Sequence, residues 1–266
     1  MTNSCPLPNS PNPYQSLSLH LKALHLSHML NHWETLEAQA MGEGWSYAQF
    51  LLALCELEAQ RRWSARLQRA LSEAQLPHAK TLTNFDFSHC PKLNAAPLMQ
   101  LADDTSWLER AENVLLFGAS GVGKTHLATG IARRMVELGK RVKFHSAIAL
   151  MQTLQQAKLQ LQLQALLKKL DRFDLLILDD LGYVKKSEAE TSVLFELIAH
   201  RYERKSLLIT ANQPFSQWDT IFSDSMMTVA AVDRLVHHAL IVDIQADSYR
   251  KQAAVAKSAK ASTAKG

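Results

Sequence analysis

The chain has 266 residues, of which 47% are hydrophobic and 20% are charged, and its formal net charge at pH 7 is +4. This length accommodates one α/β domain and a smaller appendage, and the composition is that of an ordinary soluble globular protein. The three cysteines, Cys5, Cys55 and Cys90, lie far apart without a CxxC pair, which excludes a disulfide framework and a cysteine-based zinc site. The weak basic excess is compatible with nucleic-acid binding but does not by itself indicate it.

The start of the chain lacks the basic region and the apolar region of a signal peptide. No apolar run approaches the roughly 18 residues that a membrane helix needs. We therefore expect a cytoplasmic protein that does not contact a membrane. Residues 1–16 are Pro-, Asn- and Ser-rich and are predicted to form a disordered lead.

The next segment, 17–76, has apolar residues at helical spacing and predicts a small all-helical domain that binds DNA or a partner. Gly42 and Gly44 interrupt the pattern, and a second helix is predicted from about Ser46 to Leu71. Residues 77–110 show little regular pattern and are interpreted as a connector.

From residue 111 to 250, short apolar runs alternate with helical patterns. The predicted strands are 113–117, 142–145, 175–178, 207–210 and 239–244, and the predicted helices are 125–138, 147–170, 187–204, 215–222 and 226–238. This alternation indicates an α/β fold with a doubly wound parallel sheet. Residues 251–266 form a basic tail, predicted to be flexible, and a role of this tail in DNA binding is the alternative.

A phosphate-binding motif, GxxxxGK[ST], follows the first predicted strand and opens the first predicted helix of this domain. Its glycines let the backbone N–H groups point at phosphate oxygens, and the positive end of the helix adds to the attraction. Lys124 is expected to reach the β- and γ-phosphates, and the Thr125 hydroxyl is expected to bind Mg²⁺. The predicted ATP-binding residues are Gly118, Ala119, Ser120, Gly121, Val122, Gly123, Lys124, Thr125 and His126.

Polar residues follow two further apolar strands. Asp179 and Asp180 end the run Leu175–Leu178, and two adjacent acids at a buried strand end are costly unless a cation lies nearby. We assign Asp179 to Mg²⁺ and Asp180 to the orientation and polarisation of the attacking water. Asn212 follows the next strand and is predicted to lie between the γ-phosphate and that water.

Two arginines flank the last predicted strand, Arg234 before it and Arg250 after it. Phosphoryl transfer requires positive charge at the transition state, and an arginine from a neighbouring molecule can accelerate it by about 10³–10⁵-fold. Sequence position alone favours surface ion pairs for both residues.

A cluster of basic residues in the second N-terminal helix is the candidate DNA contact. It consists of Arg61, Arg62, Arg66 and Arg69, and Trp63 lies among them. Basic side chains on a helix face suit phosphate contacts with little sequence preference. A solvated face paired with Glu56, Glu58 and Glu73 is the alternative.

From Leu17 to Arg250 the sequence resembles the IstB-type transposition helper ATPases, AAA+ proteins related to the DnaC helicase loader and the DnaA initiator. The segments that show the resemblance are 80–87, 110–114, 118–128, 178–183, 210–218, 233–238 and 247–250. The resemblance implies a protein that binds ATP, forms a homo-oligomer on double-stranded DNA, and recruits or stimulates a transposase.

The resemblance also implies roles for individual residues. Arg234 would complete the site of a neighbouring subunit, Arg250 would be a second phosphate sensor, and Asn212 would be the first. Some members have Glu where this chain has Asp180, and the shorter side chain suggests slow hydrolysis. A replicative helicase loader is the nearest alternative. A DNA-coating scaffold that does not hydrolyse ATP and a small-molecule kinase are more distant ones.

Overall fold

The computed structural model describes residues 13–182, 187–214, 217–218 and 225–249. The described residues form two compact units that divide between Gln68 and Arg69. The first is all-helical, and we call it the helical unit. The second contains a five-stranded sheet, and we call it the sheet unit. None of the helices that the structure describes has both the length and the hydrophobicity required to cross a bilayer.

The helical unit contains α1 (Pro13–Ala23), α2 (Ser27–Glu43) and most of α3 (Tyr47–Ala74). Its buried core consists of Leu21, Trp33 and Leu54. The predicted boundary of the disordered N-terminal segment 1–16 is wrong, because α1 begins at Pro13 and not at Leu17. Proline suits this position, since the first N–H groups of a helix need no intrahelical partner. The predicted first helix is divided at His25, which adopts a left-handed φ of 55°.

A buried acid ties two helices of this unit together. Glu58 of α3 is 3% exposed, and its Oε2 accepts hydrogen bonds from the backbone N–H groups of His28 at 2.8 Å and Met29 at 3.2 Å. Arg62 donates from Nε to Glu58 Oε1 at 2.9 Å and from Nη2 to the carbonyl of His25 at 3.0 Å. Burial raises the pKa of Glu58, but these hydrogen bonds outweigh it and hold the pKa below its ordinary value. The carboxylate therefore stabilises the positive N-terminal end of α2.

The sheet is parallel throughout, with the strand order β2-β3-β4-β1-β5. The strands are β1 (Asn113–Gly118), β2 (Val142–Ser146), β3 (Leu175–Leu181), β4 (Ser206–Ala211) and β5 (Ala239–Ile244). All five lie where the sequence predicted them, and the predicted α/β class is confirmed. Because parallel strands place their carboxyl ends at one edge, the loops after β1, β3 and β4 meet there.

The helices that cover the sheet are α6 (Lys124–Glu137), α7 (Ala147–Leu159), α8 (Leu163–Leu170), α9 (Glu188–Arg201) and α10 (Ser225–Val236). The helix predicted over 147–170 divides into α7 and α8, since Leu161 adopts a left-handed φ of 57°. The helix predicted over 215–222 lies outside the described residues, apart from Gln217 and Trp218.

The predicted connector contains more regular structure than its sequence indicated. It includes a short 3₁₀ turn (Phe87–His89), α4 (Ala95–Asp103) and α5 (Ser106–Glu109). The side chain of Asn94 caps α4 by accepting a hydrogen bond from the N–H of Ala96 at 3.1 Å. Leu98 is fully buried where α4 packs on α6. Much of the connector is therefore an integral part of the sheet unit.

Candidate nucleotide-binding site

The loop between β1 and α6 forms a cradle that only glycine can line. Gly118, Gly121 and Gly123 have φ values of 144°, 88° and 104°, which other residues rarely adopt. A Cβ on Gly118 would lie 2.5 Å from the carbonyl oxygen of Ile244, and one on Gly123 would lie 2.6 Å from the ring of Phe85. A Cβ on Gly121 would collide with the hydroxyl of Ser248. Glycine is therefore required at these three positions, both for the backbone conformation and for the close packing of β5, the connector and Ser248 against the loop.

Lys124 is 4% exposed and extends along this cradle. Its Nζ donates to the carbonyl oxygens of Gly118 at 2.8 Å and Ala119 at 2.9 Å, and to Asn212 Oδ1 at 2.6 Å. The structure thus brings together two predicted site residues that are far apart in the sequence. All three of these acceptors are uncharged, so an anion in the cradle would stabilise the ammonium further.

Thr125 and Asp179 are also brought together, as the metal assignment requires. The Thr125 hydroxyl donates to Asp179 Oδ1 at 2.9 Å, and the Thr210 hydroxyl donates to the same oxygen at 2.7 Å. Burial raises the pKa of Asp179, and the hydrogen bonds from Thr210 and Thr125 offset only part of this effect. A half-buried carboxylate beside a hydroxyl is an all-oxygen donor set that suits Mg²⁺. The residues present therefore fit the metal.

Asp180 and Asn212 lie in the wall of the same cavity. Asp180 adopts a left-handed φ of 60°, and its backbone N–H donates to the Thr210 hydroxyl at 2.9 Å. The strained backbone coincides with a register shift between β3 and β4 after Leu178. Sequence reasoning missed Thr210, which contacts both acids from the neighbouring strand.

The cavity has a volume of about 280 Å³. Besides the cradle, it is lined by Lys80, Asn84, Phe85, Asp86, His89, Cys90, Asp247 and Tyr249. The rings of His89 and Tyr249 meet edge to face at 5.3 Å, and the Tyr249 N–H donates to the carbonyl of Gly121 at 3.1 Å. Neither aromatic residue was predicted as a site residue, although Tyr249 lies in a segment, 247–250, that showed the family resemblance.

His126, predicted to bind nucleotide, also fastens the connector. Its Nε2 donates to the carbonyl of Thr81 at 2.9 Å, and its ring meets the Phe85 ring edge to face at 5.3 Å. The connector is thereby fixed across the first turn of α6.

Of the two predicted catalytic arginines, only Arg234 lies among the described residues, and it does not line this cavity. Arg234 lies in the last turn of α10, where Nη1 donates to the carbonyl of Ala230 at 2.8 Å. Its guanidinium lies 5.1 Å from the centre of the Phe195 ring. Arg250 lies outside the described residues.

The four predicted DNA-contacting arginines are exposed on α3. Arg62, however, is engaged with Glu58 and His25, and it supports the fold of the helical unit. Glu73, considered as a partner for these arginines, pairs with Arg141 at 2.5 Å.

Comparisons with known proteins show which family the chain belongs to. A profile of the family described as IstB-like ATP binding protein matches residues 19–257. A relative from Sinorhizobium fredii bears the name putative insertion sequence ATP-binding protein. It is 49% identical to this chain over 239 residues, which are 90% of this chain and 80% of that protein. A relative from Pseudomonas aeruginosa, named for an ATP-binding protein of insertion sequence IS21, is 37% identical over 238 residues and 88% of each chain.

Two solved structures share the fold. AMPPCP-bound DnaA from Aquifex aeolicus has a TM-score of 0.54 at 20% identity, over 66% of this chain and 53% of that chain. The DnaC helicase loader has a TM-score of 0.50 at 20% identity, over 66% of this chain and 99% of that chain. The predicted AAA+ P-loop fold is therefore confirmed.

Proposed function

The chain belongs to the family of IstB-like ATP binding proteins, and on this premise we propose that it is an ATP-hydrolysing helper of DNA transposition. In this proposal it assembles as a homo-oligomer on double-stranded DNA and recruits or stimulates a transposase. The observation that supports nucleotide chemistry best is the convergence of Lys124, Asn212, Thr125 and Asp179 at one edge of the sheet. The names of the relatives, which refer to insertion sequences, support the link to transposition.

Each residue of the site has a task in this function. The cradle N–H groups and Lys124 bind the phosphates, while Thr125 and Asp179 would hold Mg²⁺. When bound, the metal would neutralise phosphate charge. Asp180 accepts a proton from the attacking water at its carboxylate, and Asn212 orients that water. Phe85, His89 and Tyr249 offer aromatic faces on which a nucleotide base stacks.

Hydrolysis also requires positive charge at the transition state, and we propose that a second subunit supplies it. Arg234 is held by Ala230 and Phe195, outside the cavity of its own chain. This position supports a role at the site of another copy rather than at its own nucleotide. Arg250 is proposed as a second phosphate sensor because it follows Tyr249, which is anchored to the cradle at Gly121.

DNA binding is assigned to the exposed arginines of α3. Arg61, Arg66 and Arg69 are proposed to contact backbone phosphates, which would give binding with little sequence preference. Arg62 contributes through its support of α2.

The test is sedimentation of the purified protein with duplex DNA in ATP, in ADP and without nucleotide. We expect large DNA-bound assemblies in ATP alone, and we expect Lys124→Ala to prevent them. A protein that stays monomeric and does not bind DNA in ATP, in ADP or without nucleotide would refute the proposal. Capture of a replicative helicase by such a monomer would favour the loader alternative.

A further inference from the structure

A second lysine, Lys80, lies in the wall of the nucleotide cavity. It belongs to the connector, and the P-loop spacing gives it no role. Its side chain is half-buried, and its ammonium forms no hydrogen bond or ion pair with any residue in the described part of the chain. The exposed part of this side chain is solvated by water, so the ammonium is available to an anion that enters the cavity.

The backbone around Lys80 is held firmly against the cradle. The next residue, Thr81, accepts the hydrogen bond from His126, in the first turn of α6. A Cβ on Gly130 would lie 2.9 Å from both the backbone and the side chain of Leu82, so this segment packs directly on α6. The Lys80 side chain therefore extends into the cavity from an ordered backbone. Because that backbone is already fixed, less conformational entropy is lost when the ammonium binds a ligand.

Two observations place Lys80 at the metal side of the cavity. It lines the cavity together with Thr125 and Asp180. The residue after it, Thr81, is bonded to His126, which directly follows Thr125. Lys124, by contrast, is bonded to the cradle carbonyls and to Asn212. The two lysines thus serve different parts of the cavity, and Lys80 serves the part where Thr125 and Asp179 meet. Thr125 and Asp179 would hold Mg²⁺ there, and the metal would supply positive charge to the terminal phosphates of ATP.

We propose that Lys80 contacts the γ-phosphate of bound ATP and thereby makes the site favour ATP over ADP. This inference rests on the proposed nucleotide function. It assigns to the connector a direct contact with the one phosphate that hydrolysis removes. The connector segment around Lys80, which packs against the cradle, would then also contact ATP differently from ADP.

The test is calorimetric titration of the full chain with ATP and with ADP, both in the presence of Mg²⁺. We expect Lys80→Met to weaken ATP binding by about 10-fold, the typical loss for one charge-assisted hydrogen bond, and ADP binding by less than about 2-fold. Lys80→Arg keeps the charge and should restore most of the preference. Lys92→Met is the matched control, because Lys92 lies in the same connector, is exposed and does not line the cavity.

Several outcomes would overturn the inference. Equal weakening of ATP and ADP by Lys80→Met would indicate a general electrostatic or structural role. Unchanged affinity for both would remove Lys80 from the site. Wild-type protein that binds neither nucleotide would instead refute the proposed function, so the two failures are distinguishable.

Discussion

The two units of this protein use charge in opposite ways. In the sheet unit, charged side chains from distant segments converge on one cavity, where Lys124 and Asp179 are held among polar partners on rigid strands and helices. In the helical unit, Leu21, Trp33 and Leu54 form the described core, and the buried carboxylate of Glu58, paired with the half-exposed Arg62, fixes one helix end. Arg61 and Arg66 of this unit face solvent, and so does Arg69, the first residue of the sheet unit, which lies on the same helix.

This difference suggests a division of work. Phosphoryl chemistry requires atoms held within fractions of an ångström, and the sheet provides that rigidity. Binding to a phosphate backbone requires charge at a surface rather than precise geometry, and an exposed helix face supplies it. The helical unit also exposes large apolar side chains, including Tyr47 at 96% and Met41 at 80%, as expected of a unit with a small core.

The largest effect should come from Lys124→Ala. Removal of the buried ammonium leaves the cradle carbonyls and Asn212 without their donor, and the phosphates without their main cation. We expect ATP affinity to fall by at least about 100-fold, since several charge-assisted hydrogen bonds are lost together. Calorimetry measures this loss, with Lys92→Ala as control. Normal ATP affinity in the Lys124→Ala variant would contradict the assignment of the nucleotide site. The contrast between the two units would then have no basis.

Arg234→Ala should separate binding from chemistry within the sheet unit. We expect ATP affinity to be retained and hydrolysis to fall by about 10³-fold or more, because the arginine acts only at the transition state of a neighbouring site. The Asp179→Asn variant should also fail to hydrolyse ATP, because it lacks the metal-binding carboxylate of its own site. Mixing the two variants should restore part of the activity in a phosphate-release assay. A mixture as inactive as its components would mean that Arg234 does not act across subunits.

Glu58→Gln should weaken the helical unit and leave ATP binding unchanged. Loss of the buried charge leaves Arg62 and the start of α2 poorly stabilised, at a cost of about 1–3 kcal/mol in the unfolding of this unit. Hydrogen exchange of the His28 and Met29 amides measures it, with the exposed Glu56→Gln as control. Faster exchange in α2 and in β1 alike would contradict independent stabilisation of the units.

The same residue predicts a pH dependence. Because the pKa of Glu58 is lowered in the folded state, its contribution is present above the ordinary value of 4.5 and is lost as the pH falls through the folded pKa. Wild-type protein should therefore lose protection in α2 on acidification, while Glu58→Gln should show less of this change. An identical pH dependence in the two proteins would rule out Glu58 as its origin.

The smallest effect should come from the exposed arginines of α3. Substitution of Arg61, Arg66 and Arg69 by Ala should weaken DNA binding and flatten its salt dependence by roughly 0.9 log units per lost phosphate contact. Fluorescence anisotropy with duplex DNA measures the slope. Arg204→Ala, an exposed arginine of the sheet unit, is the control. An unchanged slope in the triple variant would leave α3 as a solvated face and remove the functional contrast between the units.

Patterns within single segments determined much of this protein from its sequence alone. The five strands are uninterrupted apolar runs that end in polar residues, because strands covered on both faces bury every side chain. The cradle is equally local, since its glycines, Lys124 and Thr125 lie within one turn and the helix that follows. The same local reasoning failed where one residue changes the path of the backbone, as His25 and Leu161 do.

Contacts between distant segments were decided only by the tertiary structure. Nothing in the spacing of Thr210, Lys80 or Tyr249 places them beside the cradle, because they arrive from another strand, from the connector and from beyond β5. Likewise, the sequence presents Arg62 as a surface arginine, whereas the structure shows it bonded to Glu58 and to the carbonyl of His25. Motifs are set by short-range backbone geometry, whereas the partner of a buried charge depends on which elements pack together, and that is a property of the whole fold.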